Sequence, residues 1–436
     1  MPPAVETPTS ETPLAQKPPS ADPYRLSEDA AQHEGRNFLV IALFQIIMRT
    51  GWIFKTESII MPAVLDTITG GGPWGGMLRG CLPVLNRLGH SIPPMLFSQR
   101  LKMLPHKRMG VLVCAFLMAA VFVVLSFMFT LSGGRPLWWM PLVFLVCYVF
   151  FFAATGVNNL SLGTLQGKLT HATRRGRLLL TANVIGAATA IVAVLLLMPL
   201  WLHDDVAMFD RIFGFTALCF AIAAVSMLLV KEPQDDVQEK PKSARRLLRS
   251  AWKTFQSDRN FRRLAIVAMA FATSLALFPH YQALARSDRL GLPMDNLMLW
   301  VIVQNIGTAI FSLIMGPLAD RFGNRLVLRL VLLAIAAMPP VAIGLSYWEG
   351  WGPWLYPGVF LFIGLTPVGF KTIGNFTLEI SATEDHPKYL STLGLCFALP
   401  LLASPLLGWI VEATSFEVVF FPISAAILLG WLLTFR

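Results

Sequence analysis

The sequence predicts an all-α membrane protein with twelve transmembrane helices arranged as two pseudo-symmetric six-helix halves. Of its 436 residues, 55% are hydrophobic and only 14% are charged, and the mean hydropathy is +0.62. Soluble globular chains carry about 25% charged residues. This composition therefore predicts a chain that lies in a lipid bilayer.

The number of apolar windows supplies the helix count. A membrane helix needs about 20 mostly apolar residues. Twelve windows of this kind, numbered here as spans 1 to 12, lie near 37–65, 75–98, 109–131, 137–163, 177–202, 211–230, 263–285, 296–318, 325–347, 354–379, 388–411 and 417–435. An even number of spans places both chain ends on one side of the membrane.

The basic residues predict which side that is. Of the 35 Lys and Arg residues, 26 lie in the two tails and in the alternate connections 99–108, 164–177, 231–263, 319–329 and 380–388. The opposite connections contain only Arg135, Arg211, Arg286 and Arg289. Basic connections stay on the cytoplasmic side, so both termini are predicted to be cytoplasmic, in a multi-pass protein of the cell membrane. The net charge of +10 follows from these connections and predicts no nucleic-acid partner.

The ends and the longest connection divide the chain. Residues 1–36 are rich in Pro, Ser, Thr and Glu without an apolar run, which predicts a disordered N-terminal tail. Residues 231–262 form the longest connection between spans. The prediction is thus an N-terminal half over 37–230, a cytoplasmic linker over 231–262 and a C-terminal half over 263–436.

The second part of the linker has a helical pattern. Leu248, Trp252 and Phe255 recur at helical spacing, and arginines and Lys253 occupy the other faces. This pattern predicts a basic amphipathic helix on the inner membrane surface. The alternative is a solvated basic linker without a fixed structure.

No cofactor or metal is expected from the cysteines. They are far apart, lie in apolar stretches and form no C-x-x-C or Cys/His pattern. We expect them to be small buried side chains.

A short segment between spans 8 and 9 is the most informative motif. Residues Gly316 to Arg325 read G-P-L-A-D-R-F-G-N-R. An acid and two arginines in a tight, glycine-flanked turn can hold neighbouring helix ends together and release them when they separate. Such an arrangement suits a gate better than an active site.

This segment resembles the signature loop of the major facilitator superfamily of secondary transporters. The resemblance covers residues 37–435 and implies the major facilitator fold, with a substrate site near mid-membrane between the halves. It implies a cytoplasmic gate whose residues are Gly316, Asp320, Arg321, Gly323, Arg325 and Glu379.

Two departures from the family pattern qualify the resemblance. The equivalent segment after span 2, residues 97–108, is basic but has no acid at the family's aspartate position. Span 5, which reads Thr181-Ala182-Asn183-Val184-Ile185-Gly186-Ala187, lacks the G-P-x-x-G-G signature of drug/proton antiporters. A strong gate is therefore expected only in the second half, and drug efflux is disfavoured.

Ionisable groups inside the membrane are candidates for function because they are costly there. They concentrate in the first two spans and comprise Arg49, Lys55 and Glu57 in span 1 and Arg79, Arg87 and His90 in span 2, with Asn86 on the same stripe. The excess of positive charge predicts an anionic or carboxylate-bearing substrate, with Glu57 or a histidine titrating to couple protons. Glu57 and Arg79 are placed in the outer third, where they could pair. The alternative is that Lys55 and Arg79 extend to the interface and Arg87 pairs with Glu57.

Further polar groups lie in the second half. Lys371, Asn375 and Glu379 share one face of span 10, and Lys371 is the deepest of the three. Gln304 and Asn305 in span 8 and His280 in span 7 could contact substrate. Hydrogen bonding between helices is the other use that such residues have.

The predicted function is secondary active transport of a small, anionic solute by alternating access, with the proton as coupling ion. The alternatives are a multidrug efflux pump of the same superfamily, or a receptor or scaffold that kept the fold without transport. An intramembrane enzyme is not expected, because the paired acids Asp204-Asp205 and Asp235-Asp236 lie in connections. The expected partners are the small-molecule substrate, the coupling proton and the lipid bilayer, and the chain is expected to be a monomer.

Overall fold

The computed structural model describes residues 28–203, 206–234, 253–382 and 385–435, and they are almost entirely helical. The helices of spans 1 to 6 are Glu34–Ile53 with Ile60–Thr69, Gly72–Lys102, Lys107–Ser132, Met140–Leu169, Ala172–Trp201 and Phe209–Ser226. The helices of spans 7 to 12 are Arg259–Thr273 with Phe278–Arg286, Asn296–Phe322, Asn324–Tyr347, Pro357–Ile363 with Thr366–Ile380, His386–Ala398 with Ser404–Ala413, and Phe416–Leu433.

Short elements complete the described structure. Two-residue strands, Leu202–His203 and Val206–Ala207, pair in antiparallel fashion between spans 5 and 6. The remaining short helices are Glu28–Gln32 and Gly352–Leu355 and the 3-10 turns Met227–Leu229, Ser274–Leu277 and Pro400–Ala403. We call the end of the bundle with the basic connections the basic end, and the opposite end the far end.

The prediction of an all-α membrane protein is confirmed. Among the described residues, ten helical segments, spans 3 to 12, are long and apolar enough to cross a membrane. Spans 1 and 2 are helical as well but do not meet the same criterion. Spans 1 and 2 contain the buried cations Lys55 and Arg79, and span 1 is interrupted. The chain is a multi-pass membrane protein.

The interruption of span 1 separates Ile53 from Ile60. Pro62 lacks an amide hydrogen, and its ring would clash with the carbonyl of residue 58 in a continuous helix. The amides of Ile60 and Met61 bond instead to the Thr56 carbonyl, at 2.9 and 3.2 Å. Span 1 therefore places Lys55, Glu57 and their neighbours on non-helical backbone at membrane depth, which proteins tolerate where it is enclosed by other chain segments.

The predicted signature turn is mostly helix, and in that respect the prediction was wrong. Span 8 remains helical through Pro317 to Phe322, and span 9 begins at Asn324. Gly323 alone joins them, with a positive φ of 84° that favours glycine. The acidic and basic residues of the motif therefore lie on two consecutive helix ends.

The chain ahead of span 1 is more ordered than predicted. Residues 28–36 fall in the predicted disordered tail, yet they are helical apart from a turn at residue 33. The Glu34 carboxylate fixes this segment by accepting from the His171 amide at 3.0 Å and from Arg174 at 3.2 Å. Arg36 donates to the Leu229 carbonyl at 3.0 Å. Residues 1–27 lie outside the described residues.

The predicted linker helix falls largely outside the described residues, which omit 235–252. Residues 253–257 are helical. Span 7 then begins after Asp258, whose side chain caps the helix by accepting from the amides of Asn260 and Phe261 at 2.9 and 3.0 Å. The linker's amphipathic character stays a prediction.

Candidate functional site

The break in span 1 holds an ion pair whose lysine is buried. The Lys55 ammonium is fully buried and lies 3.1 Å from the centroid of the Trp52 ring. Its nitrogen is 2.5 Å from a Glu57 carboxylate oxygen. The Glu57 side chain stays 31% exposed, so it can meet a solute or a proton while Lys55 cannot. Glu57 pairs with neither Arg79 nor Arg87, because the unwound backbone turns it toward Lys55.

Span 2 presents the predicted polar stripe. The His90 ring nitrogen Nδ1 lies 3.0 Å from the Asn86 side-chain oxygen, and the buried Tyr148 hydroxyl is hydrogen-bonded to the Asn86 side chain. Arg87 stacks on Phe370 of span 10, with 3.9 Å between the guanidinium carbon and the ring centroid. Among the described residues, no carboxylate lies within ion-pair distance of Arg87. Glu57 is farther away but close enough for an electrostatic interaction. Arg87 thus spans the interface between the halves with its charge largely unmatched.

The polar groups of span 8 divide between two uses. Gln304 accepts a hydrogen bond of 2.6 Å from Ser58, which lies in the break of span 1. This bond joins the two halves beside the break in span 1. Asn305 donates to the Val301 carbonyl of its own helix at 2.9 Å, so this hydrogen bond stays within span 8.

Arg49 and Lys371 contribute further positive charge. Arg49 donates to Asn183 of span 5 at 3.1 Å, and a side chain at Gly186 would lie 3.1 Å from the Arg49 Cδ atom. Lys371 and Asn375 are exposed, and neither makes a side-chain hydrogen bond with another described residue. A lysine exposed at this position within a span is expected to face water rather than lipid.

At the far end, one arginine binds two carboxylates. Arg79 of span 2 is only 2% exposed. It donates to Asp66 of span 1 at 2.6 Å and, from its other terminal nitrogen, to Glu412 of span 11. The alternative that Arg79 extends to the membrane interface is therefore wrong. This arginine connects the first half to the second.

Two buried residues of span 7 complete the cluster. The Arg79 Nε donates to Nδ1 of His280 at 3.2 Å, and Gln282 donates to Asp66 at 2.6 Å. Both side chains are fully buried. Among the described residues, the His280 Nε2 and the Gln282 Oε1 have no hydrogen-bond partner. We call Asp66, Arg79, His280, Gln282 and Glu412 the far-end cluster.

Glycines bring spans 2 and 11 into backbone contact beside the far-end cluster. A side chain at Gly76 would meet the Gly408 carbonyl oxygen at 2.4 Å, and one at Gly80 would meet the Ser404 carbonyl oxygen at 2.3 Å. The Ser404 hydroxyl donates to the Gly80 carbonyl. The sequences G-x-x-x-G in span 2 and S-x-x-x-G in span 11 are the small-residue spacing that permits such helix contact in membranes.

The predicted gate residues at the basic end are apart from the first half. Asp320, Arg321 and Gly316 are exposed, and the described residues offer Asp320 no ion-pair partner. Arg325 instead donates to the Thr434 carbonyl at 2.9 and 2.6 Å, which joins spans 9 and 12. Glu379 accepts from Asn324 at 2.5 Å, and the described residues show no bond between Glu379 and Arg321.

In the first half, a similar set of bonds joins helix ends at the basic end. The carboxylate of Glu232 is fully buried and accepts 2.8 Å hydrogen bonds from the amides of Lys107 and Arg108, at the start of span 3. It also pairs with Lys168 of span 4 at 2.9 Å. Arg108 donates to the Val230 carbonyl at the end of span 6, as Arg325 does to Thr434 at the end of span 12.

The sequence prediction did not single out the acids of the far-end cluster. Asp66 lies one residue beyond the window of span 1 and Glu412 one residue beyond that of span 11, so both were passed over as connection residues. Their partner Arg79 is separated from Glu412 by 333 residues. The available signal was an arginine inside span 2 together with two acids that each directly follow an apolar window.

Comparisons with known proteins identify the fold. No family profile matches the sequence, and no curated protein matches it. Solved structures match over nearly the whole chain. A POT family transporter in complex with 5-aminolevulinic acid is 12% identical, with a TM-score of 0.69 over 91% of this chain and 95% of its own.

Two further structures agree. A D-xylose-proton symporter is 14% identical, with a TM-score of 0.66 over 92% of this chain and 96% of its own. The human organic anion transporter MFSD10 is 15% identical, with a TM-score of 0.61 over 92% of this chain and 99% of its own. This chain therefore has the major facilitator fold, and the fold predicted from its signature segment is confirmed.

Proposed function

We propose that this chain, which has the major facilitator fold, is a secondary transporter of a small anionic solute that works by alternating access. The observation that carries the proposal is Arg87. It lies in the middle of span 2, stacked across the interface on Phe370 and without a carboxylate of its own among the described residues. An arginine held in this way can bind a carboxylate with two parallel hydrogen bonds.

The surrounding charges support an anion over a cation. Arg49 and Lys371 add positive charge in the spans, and neither has a carboxylate partner among the residues described. Lys55 neutralises Glu57, which is the acid in the break of span 1. A solute that brings a carboxylate would supply the missing negative charge and lower the cost of keeping these cations in the membrane.

The contacts between the halves support alternating access. At the far end the halves are joined by the far-end cluster and by backbone contact between spans 2 and 11. At the basic end the signature residues Asp320 and Arg321 are exposed. We infer a state that is closed at the far end and accessible from the basic end, which the positive-inside rule places in the cytoplasm.

The similar folds are consistent with this proposal without defining the solute. One similar structure is named an organic anion transporter and another a proton symporter. Since fold alone does not determine substrate, we propose an anion from the charges of this chain and a proton as coupling ion from Glu57, the partly exposed acid in the break of span 1.

The test is uptake by the purified chain in proteoliposomes under an imposed proton gradient. A thermal-shift screen of small carboxylates first selects the solute. Arg87→Gln should abolish uptake with expression and folding intact, whereas Arg211→Gln, an exposed arginine at the far end, should leave it unchanged. Near-normal uptake by the Arg87 variant would refute the anion site. A wild-type chain that binds a carboxylate but never accumulates it would favour a receptor or scaffold.

A further inference from the structure

The far-end cluster has more negative than positive charge in a buried place. One guanidinium, that of Arg79, is bonded to the carboxylates of both Asp66 and Glu412. The Arg79 side chain is 2% exposed, that of Asp66 15% and that of Glu412 24%. Both acids are only partly exposed, so two ionised carboxylates beside one cation would leave an unmatched negative charge that water stabilises only in part.

His280 does not supply the missing positive charge. Its Nδ1 accepts the hydrogen bond from the Arg79 Nε, so that nitrogen carries no proton. A cationic imidazole has protons on both nitrogens and would direct an N–H against the arginine's own N–H. His280 is therefore neutral, with its proton on Nε2, the atom that lacks a partner among the described residues.

The other groups around the cluster offer only partial compensation. Gln282 donates to Asp66 but carries no charge, and its own oxygen is buried without a partner among the described residues. Arg286, at the end of span 7, acts electrostatically on Asp66. It is only half-buried, so solvent screens its charge.

We propose that the far-end cluster is a proton-binding site, in which Asp66 and Glu412 together hold one proton when the far end is closed. The proton comes from water at the far end as the halves approach, and adds to a carboxylate oxygen. It converts one carboxylate into a carboxyl group and leaves one carboxylate for Arg79. Separation of the halves returns both acids to water, and the proton dissociates.

The direction of the pH effect follows from this balance. The closed state binds one proton more than the open state, so acid favours closure. Over the pH range in which the shared proton is bound in the closed state and absent in the open state, the closure equilibrium should change about ten-fold per pH unit. This inference rests on the proposed alternating access, but the proton site itself can be tested without measuring transport.

Infrared spectroscopy of the full-length chain in lipid nanodiscs tests the site directly. The C=O stretching band of a protonated carboxyl group lies at a different frequency from the bands of an ionised carboxylate. We expect its C=O band in the wild type near neutral pH. Glu412→Gln and Asp66→Asn should each remove the band, because the remaining acid is then matched by Arg79. Glu417→Gln should keep it, since Glu417 pairs with Arg289 and Tyr347 inside the second half.

The results separate this proposal from the proposed function. Absence of the band in the wild type, or its persistence in both variants, overturns the proton site and leaves transport unaffected. A band that behaves as expected in a chain that transports nothing supports the site and refutes the transporter. Should the Asp66 variant fail to fold, the Glu412 variant decides, because its side chain is the more exposed of the two.

Discussion

The two ends of the interface between the halves are built differently. At the far end, Arg79 is buried between acids of both halves, and spans 2 and 11 touch through Gly80 and Ser404. At the basic end, Arg325 and Glu232 fasten helices only within their own halves. The exposed Asp320 has no ion-pair partner among the described residues.

In the proposed alternating-access cycle, this difference indicates which contacts change with the state of the protein. Contacts inside a half can persist while the halves move, whereas contacts between halves must form and break. The far-end cluster is of the second kind and is the one that a change of state must disrupt. Variants at the two ends should therefore have different effects, one on the position of the halves and the other on stability alone.

Arg79→Gln should have the largest effect. It leaves Asp66 and Glu412 buried without their cation, and breaking a buried ion pair costs about 3–5 kcal/mol. The equilibrium should shift toward an open far end by a factor of about 100 or more. The measurement is the distance between spin labels at Trp138→Cys, between spans 3 and 4, and Trp354→Cys, between spans 9 and 10, both exposed far-end positions. Arg289→Gln is the matched control, since its pair with Glu417 is partly exposed and is expected to contribute about 0–1 kcal/mol. Equal distances in both variants would contradict the importance of the far-end cluster.

Gly80→Leu should have the next largest effect. Its side chain would enter the space of the Ser404 carbonyl, which is backbone and cannot rotate away. Overpacking of this kind costs about 1–3 kcal/mol, and here separation of spans 2 and 11 relieves it. The same spin labels should report an opened far end. Gly163→Leu in span 4 is the control, because a Cβ atom there would meet nothing within 4 Å outside its own stretch of helix. A closed far end in the Gly80 variant would show that the contact yields without separating the halves.

Glu232→Gln should lower stability without moving the halves. It weakens the cap on span 3 and the ion pair with Lys168, together about 1–2 kcal/mol. The temperature of thermal unfolding should fall while the far-end label distance stays at the wild-type value. Glu349→Gln, an exposed acid at the far end, should change neither. A changed distance in the Glu232 variant would mean that this fastening also couples the halves.

The features predicted correctly from the sequence are those set by local composition. Apolar windows fixed the positions of the helices, and the signature segment was sufficient to predict the fold. The break of span 1 and the helical path through Pro317 were missed, because both depend on how neighbouring helices enclose the backbone. Proline interrupted span 1 near Pro62 but did not interrupt span 9, which stays helical through Pro339 and Pro340.

The pairing of charges was the least predictable feature. Glu57 was expected to meet a distant arginine but meets Lys55, two residues away. Arg79 was expected to pair with Glu57 or to extend to the interface, but it meets Asp66 and, 333 residues away, Glu412. Partners of this second kind are set by helix packing, for which spacing along the chain gives no signal. The predicted substrate and gate residues stay predictions until variants test them.

Asp320→Asn should have the smallest effect on the state described here, and it tests the predicted gate. Asp320 is exposed and has no ion-pair partner among the described residues, so its charge contributes little while the far end is closed. If it pairs across the halves only when the basic end closes, the variant should weaken that other state alone. Labels at the far end should then show a larger closed population, and solute affinity in a fixed state should not change.

The charge-preserving Asp320→Glu should behave like the wild type. If Asp320→Asn changes neither the far-end distance nor the transport rate, Asp320 has no gate role. Arg325 would then serve only to join spans 9 and 12.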